Sequence, residues 1–164
     1  MNAPALKTIR LELQPGHAIR RLHQISVAFF TQETADLGIT PVQYAILQMV
    51  HNQPGFDQRT LARNIALDTS TTAGVVDRLE ARGLVVRSAS PDDRRVRLLT
   101  LTPAGEQLLA DAIAPMERTQ ELILAPLTSA QRDDFMRLLT LLVSDNTSQN
   151  QATHNTSAKP ANAD

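Results

Sequence analysis

Along most of the chain the apolar positions recur with a helical period. After Pro15-Gly16, the residues Ile19, Leu22, Ser26, Phe29 and Phe30 fall close to one face, and the pattern ends near Gly38. Thr40-Pro41-Val42-Gln43 has the form of a capping box with proline at the first helical position. It opens a helix carrying Val42, Ala45, Ile46 and Met49, which Pro54-Gly55 stops. A short helix is expected over 57–65 and another from about Thr69 to Arg82, closed by Gly83. Thr102-Pro103 starts a further helix with Leu108, Leu109, Ala112, Ile113 and Met116 on one side, and Pro115 within it predicts a kink. Thr128-Ser129-Ala130-Gln131 is a second capping box, leading into Phe135, Leu138, Leu139 and Leu142 at i, i+3, i+4 and i+7.

One region departs from this rhythm. Leu84 to Arg87 and Val96 to Leu101 are β-rich, and the polar stretch Ser88 to Arg95 between them predicts a two-stranded hairpin with an arginine-bearing tip. Beyond Val143 the pattern stops. Residues 144–164 contain no Val, Ile, Leu, Met or aromatic residue, which predicts a disordered tail. No internal repeat is present.

Composition narrows the chemistry. With 164 residues the chain has room for one domain with an arm, and with 3% aromatic residues its core must be aliphatic. Cysteine is absent, which excludes thiolate metal sites, disulfides and cysteine-based sensing. The four histidines, at 17, 23, 51 and 154, are too scattered to form a metal cluster, so no metal and no cofactor is expected. No apolar run approaches the roughly 18 residues a membrane span needs, and the first 14 residues lack the apolar core of a signal peptide. The expectation is a soluble cytoplasmic protein. No nucleophile–base pair, phosphate loop or pair of acids stands at catalytic spacing, so no catalytic residues are assigned.

The formal net charge of −1 argues against a polyanion partner, but its distribution argues for one. Fourteen of the sixteen cations are arginine, and eight of them lie in residues 57–102 against six acids. Residues 103–164 carry four cations and eight acids. The positive field is therefore local.

Residues 57–83 have the spacing of a helix-turn-helix. Leu61, Ala62, Leu67, Val75, Val76 and Leu79 are placed to bury a helix crossing. That turns Ser70, Gly74, Asp77 and Ala81 outward, with Thr71 and Arg78 at the edge of the same face. Short polar residues and a glycine suit a helix that enters a groove of DNA, where Arg78 is the candidate for a base contact. Asp77 either accepts from a cytosine or orients a neighbouring arginine. The hairpin then becomes a wing, with Arg94 and Arg95 as candidate minor-groove residues and Asp93 placed to hold the Arg95 guanidinium. Arg59 and Arg82 complete the candidate DNA-binding set. Each arginine has a blander reading as a solvated surface charge, Arg87 and Arg97 above all.

Three stretches resemble the MarR family of bacterial transcription regulators: Gly38 to Leu47, Leu61-Ala62-Arg63, and Val76-Asp77-Arg78-Leu79-Glu80-Ala81-Arg82-Gly83-Leu84-Val85. Ser90 to Arg95 followed by Leu101-Thr102-Pro103-Ala104-Gly105 is similar to the wing of that family and the helix start after it. The likeness covers roughly residues 16–143. Ser90, Ala66 and Thr72 depart from it, standing where the family usually has Asp, a turn Gly and an apolar residue.

The resemblance implies a mainly α fold with a small β-hairpin wing, in which a winged helix-turn-helix lobe (57–102) lies between N- and C-terminal dimerisation helices (11–35 and 103–143). An arm (1–15) would precede the MarR-like domain (16–143). It implies a homodimer on a pseudo-palindromic operator, most often a repressor released by a small molecule. Leu11, Leu13, Leu138, Leu141 and Leu142 are the corresponding dimerisation candidates, although an ordinary core stripe accounts for about half of the leucines of the last helix. Effectors of such regulators bind between the dimerisation helices and the DNA-binding lobe. His17, Arg20, Arg21, His23, Tyr44 and His51 are candidates there, and an arginine with a nearby histidine and tyrosine would suit an aromatic carboxylate. The competing reading is a winged-helix module used only for protein contacts, which the low net charge and Asp77 favour.

Overall fold

The computed structural model describes residues 9–93 and 95–156. Two compact units are distinguished, residues 1–123 and 124–164. In the first, a 3-10 turn at Leu11–Leu13 leads into α1 (Pro15–Glu33). After a second 3-10 turn at Ala35–Leu37 come α2 (Pro41–Asn52), β1 (Phe56–Asp57), α3 (Gln58–Asn64) and α4 (Thr69–Ala81). The hairpin strands β2 (Val85–Ala89) and β3 (Arg97–Leu101) follow, and then α5 (Pro103–Leu124). The second unit holds α6 (Ser129–Thr156).

The starts of α2 and α6 follow from the predicted caps. Thr40 accepts from the Gln43 amide while the Gln43 side chain accepts from the Thr40 amide, a complete capping box on α2. The box at Thr128 and Gln131 is also formed. Asp57 caps α3 and Asp68 caps α4.

The core is aliphatic. Ile46, Leu47 and Val50 of α2 meet Leu61 of α3, Val75, Val76 and Leu79 of α4, Leu84, Val85 and Leu99 of the hairpin region, and Leu109 of α5. Phe56 joins the cluster from β1, a two-residue strand that sequence periodicity does not show. It pairs antiparallel with β3, giving the sheet order β1-β3-β2. Gly105 is fixed by sterics. A Cβ there would lie 2.1 Å from the Leu84 carbonyl oxygen, so the first turn of α5 can approach the start of the hairpin only without a side chain.

Helix α5 continues through Pro115 to Leu124. One expectation needs correction. The tail expected to be disordered is helical from 144 to Thr156, because no proline or glycine interrupts it after Ser129 and its polar side chains need no core to continue an existing helix. The remainder of that tail (157–164) and residues 1–8 of the arm lie outside the described residues.

Candidate nucleic-acid interface and effector cavity

The helix-turn-helix is built by α3 and α4. Between them Ala66 adopts φ +54°, a left-handed conformation that closes the turn in the absence of glycine. Val75, Val76 and Leu79 are buried, while Ser70, Thr71, Asp77, Arg78 and Ala81 are exposed, so α4 presents the face the spacing predicted. Thr72 is fully buried, and its hydroxyl donates to the Asp68 carbonyl at 2.9 Å, which satisfies the polar group that replaces an apolar one. The Arg78 guanidinium extends back over Gly74, 3.8 Å from where a Cβ would stand.

The N-terminus of α4 is more tightly organised than a row of free hydroxyls. Ser70 and Thr71 donate their hydroxyl protons to the two Asp68 oxygens at 2.6 and 2.5 Å, and the Thr71 amide donates at 2.8 Å. These bonds, that from the Ser70 hydroxyl first, hold the Asp68 carboxyl well below the usual carboxylate range. Asp57 is lowered in the same way, chiefly by bonds from Thr60.

Beside this helix start, the wing encloses a groove of about 470 Å³ lined by Asp57, Gln58, Arg59, Thr69, Asp93, Arg95, Val96 and Arg97. It brings the candidates Arg59 and Arg95 to one place and adds Arg97, whose position two residues beyond Arg95 was the available signal for it. Arg94 lies outside the described residues. Asp93 does not hold the Arg95 guanidinium. Its carboxylate accepts from the Arg95 amide at 2.9 Å and its carbonyl from the Val96 amide, so it shapes the turn. Asp77 has a neighbouring arginine as its partner. Arg87 of β2 donates to Asp77 Oδ1 at 2.5 Å and to Glu80 Oε2 at 2.6 Å.

Arg82 is the candidate the structure removes from the groove. Its guanidinium donates to the Gly38 and Leu37 carbonyls at 2.8 and 3.4 Å, because the C-terminal end of α4 faces the turn between α1 and α2.

A second cavity, of about 240 Å³, is lined by His23, Ser26, Val27 and Phe30 of α1, Pro41 and Tyr44 of α2, and Met116, Thr119 and Gln120 of α5. The Phe30 and Tyr44 rings stand 6.2 Å apart and form one wall. Burial raises the Tyr44 pKa, which keeps its phenol neutral. The Tyr44 hydroxyl donates to Gln48 at 3.3 Å. Of the six effector candidates only His23 and Tyr44 line this cavity. Arg20 contacts Gln24 and His17 along the exposed side of α1, and Arg21 is exposed on the same helix. His51 Nδ1 lies 2.7 Å from Glu106 Oε2, joining α2 to α5 instead. The expected arginine fork for a carboxylate is thus absent from the cavity lining, and Ser26, Gln120 and Thr119, whose hydroxyl donates to the Pro115 carbonyl, are the polar groups that sequence reasoning missed.

The dimerisation candidates Leu11, Leu13, Leu138, Leu141 and Leu142 are all exposed in the single chain. Among the described residues no helix is long and apolar enough to cross a membrane, and no group of three or more potential ligands could hold a metal.

These features have close counterparts among known proteins. The HTH-type transcriptional repressor NicR of Pseudomonas putida is 34% identical over 79% of this chain and 82% of its own length. The PcaV transcriptional regulator of Streptomyces coelicolor, solved with its natural ligand, superposes with a TM-score of 0.79 at 33% identity, over 85% of this chain and 98% of that one. Bordetella bronchiseptica BpsR, whose DNA binding is regulated by 6-hydroxynicotinic acid, superposes with a TM-score of 0.79 at 31% identity, over 84% and 98% of the two chains. The sequence profile described as the MarR family matches residues 39–96, the stretch from the start of α2 into the wing. With the winged helix-turn-helix in place and its relatives agreeing over most of their lengths, the chain belongs to the MarR family of transcriptional regulators.

Proposed function

We propose that this regulator is a homodimeric repressor that binds a pseudo-palindromic operator and releases it when a small aromatic carboxylate enters the cavity between α1, α2 and α5. The observation that carries the reading is the groove in which Arg59, Arg95 and Arg97 converge beside the N-terminus of α4. Arginine's rigid fork suits phosphate and base edges, and three such groups outnumber the two carboxylates, Asp57 and Asp93, that line the same groove. Exposed Arg78, over Gly74, supplies a base-reading candidate on the neighbouring face. The protein acts by binding, not by catalysis.

Two features support the effector class. A volume of about 240 Å³ is below the roughly 300–1,000 Å³ of drug-sized sites, so it admits a single-ring molecule. His23, Ser26, Tyr44 and Gln120 offer hydrogen bonds to a carboxylate and ring hydroxyl, and Phe30 and Tyr44 offer a face for the ring. BpsR, which responds to 6-hydroxynicotinic acid, makes hydroxylated pyridine carboxylates the first compounds to try. The competing reading, a module for protein contacts, drew on Asp77 at the α4 face. Its carboxylate is paired through Oδ1 with Arg87, which weakens that support.

Fluorescence anisotropy with the DNA upstream of the protein's own gene tests both parts. Binding should weaken steeply with salt, and 6-hydroxynicotinate or a substituted benzoate should release the DNA. No binding at micromolar protein and moderate salt overturns the reading.

A further inference from the structure

Strand β2 is an edge strand, and Arg87 stands at its middle, opposite the fully buried Leu99 of β3. Its side chain is mostly buried, at 20% exposure. The guanidinium spans two carboxylates of α4 placed one helical turn apart, Asp77 at 2.5 Å and Glu80 at 2.6 Å. Glu80 also accepts from the Arg87 backbone amide at 3.3 Å. One arginine thus joins the exposed side of α4 to the strand that carries the wing, by two ion pairs and a hydrogen bond from its backbone amide.

The geometry points to Arg87 as the positioning residue that fixes the wing against α4, so that Arg95 and the α4 face meet one DNA duplex in register. Arg87 makes no contact with DNA in this scheme, and Asp77 reads no base. The inference rests on the DNA-binding reading above for its consequence, but its geometric part stands without it. The two residues of β1 pair only with Leu98 and Leu99, so beyond them the wing is a two-stranded ribbon, which is soft on its own. Loss of the guanidinium frees the wing to sample several angles while the core beneath, Val85 and Leu99, stays packed.

The absence of cysteine makes the test direct. Spin labels attached through Ala81→Cys on α4 and Asp92→Cys on the wing report the angle as a distance distribution. In the otherwise unaltered full-length protein that distribution should be narrow. In Arg87→Met, which keeps the buried stem, it should broaden, and Arg87→Lys should restore it in part by recovering one pair. Operator affinity of Arg87→Met should fall on the order of tenfold, the scale of two ion pairs lost at a partly exposed site. The dependence of log affinity on log salt should keep its slope, since no phosphate contact is removed. The cost of Arg95→Ala should shrink in the Arg87→Met background, because a misplaced wing has less to lose. An unchanged distance distribution overturns the proposal. So does a smaller salt slope together with additive costs, which would make Arg87 a DNA contact. Failure of the unaltered protein to bind any DNA overturns the proposed function instead, and the distance measurement still decides the role of Arg87.

Discussion

Arg82 donates from Nη1 to the Gly38 carbonyl at 2.8 Å, fastening the residue that ends α4 to the turn that precedes α2. Three residues after Gly38, Pro41 lines the cavity between α1, α2 and α5. The guanidinium is exposed and its bonds are to neutral carbonyls, so Arg82→Ala should cost about 1 kcal/mol and lower the melting temperature by roughly 2–4 °C. DNA affinity at 25 °C should stay near that of the unaltered protein with the same salt slope. A slope reduced by about one would return Arg82 to the phosphate-contacting set.

Gly74→Ala should separate stability from binding. A Cβ at this position meets only the Arg78 guanidinium, at an ordinary 3.8 Å, so the substitution is tolerated by the fold. Alanine in a helix interior is favoured over glycine by about 0.8–1 kcal/mol, and thermal stability should rise. Affinity for the operator should fall, because the methyl group stands on the face where the α4 backbone approaches the groove. Calorimetry and anisotropy on the same preparation check the two signs. A variant that is more stable and binds equally well would show that α4 does not approach DNA closely at Gly74.

The caps give a pH dependence with a defined sign. Asp57 accepts from the Arg59 and Thr60 amides at 3.1 and 3.0 Å, and its pKa is lowered, as is that of Asp68. A carboxyl depressed in the folded state stabilises at pH above its unfolded value, about 3.9, and that contribution is lost as pH falls through the folded value. Asp57→Ala should therefore cost about 1 kcal/mol at pH 7, with the difference from the unaltered protein shrinking below pH 4. Denaturant titrations at pH 7, 5 and 3 measure it. A difference that is the same at all three would mean that the ionised cap contributes nothing.

The contrast between what the sequence shows and what it conceals has a physical basis. Burial of Ile46, Leu47 and Val50, or of Val75, Val76 and Leu79, repeats with the helix period, so a face can be counted out from local spacing. Capping boxes are equally local. Strand β1 is not, since two residues carry no period and Phe56 becomes a strand residue only by pairing with Leu99, forty-three positions away. The partners of Arg82 and His51 lie 44 and 55 residues off, and nothing in either neighbourhood marks them. The same holds for the cavity. His23 and Tyr44 are visible as polar residues on helices, but Ser26 and Gln120 join them only once α1, α2 and α5 are packed.

The last helix carries the sharpest test of assembly. Met136, Leu138, Leu141, Leu142 and Val143 are each 48–60% exposed. Burying a leucine fully stabilises by roughly 1.5–3 kcal/mol, so leaving this many half in water on one helix is a large unused driving force. A second copy that covers the helix uses it, since a two-fold partner presents the same apolar positions. Leu141→Glu together with Leu142→Glu places two charges in that interface, where each would be desolvated without a partner. Sedimentation velocity should give a dimer for the unaltered chain and a monomer for the double variant. The far-ultraviolet circular dichroism should stay helical, because glutamate propagates a helix as readily as leucine. Operator binding should then fall by much more than tenfold, since each monomer reaches only one half-site and the second contact is no longer intramolecular. A double variant that remains dimeric would remove α6 from the interface.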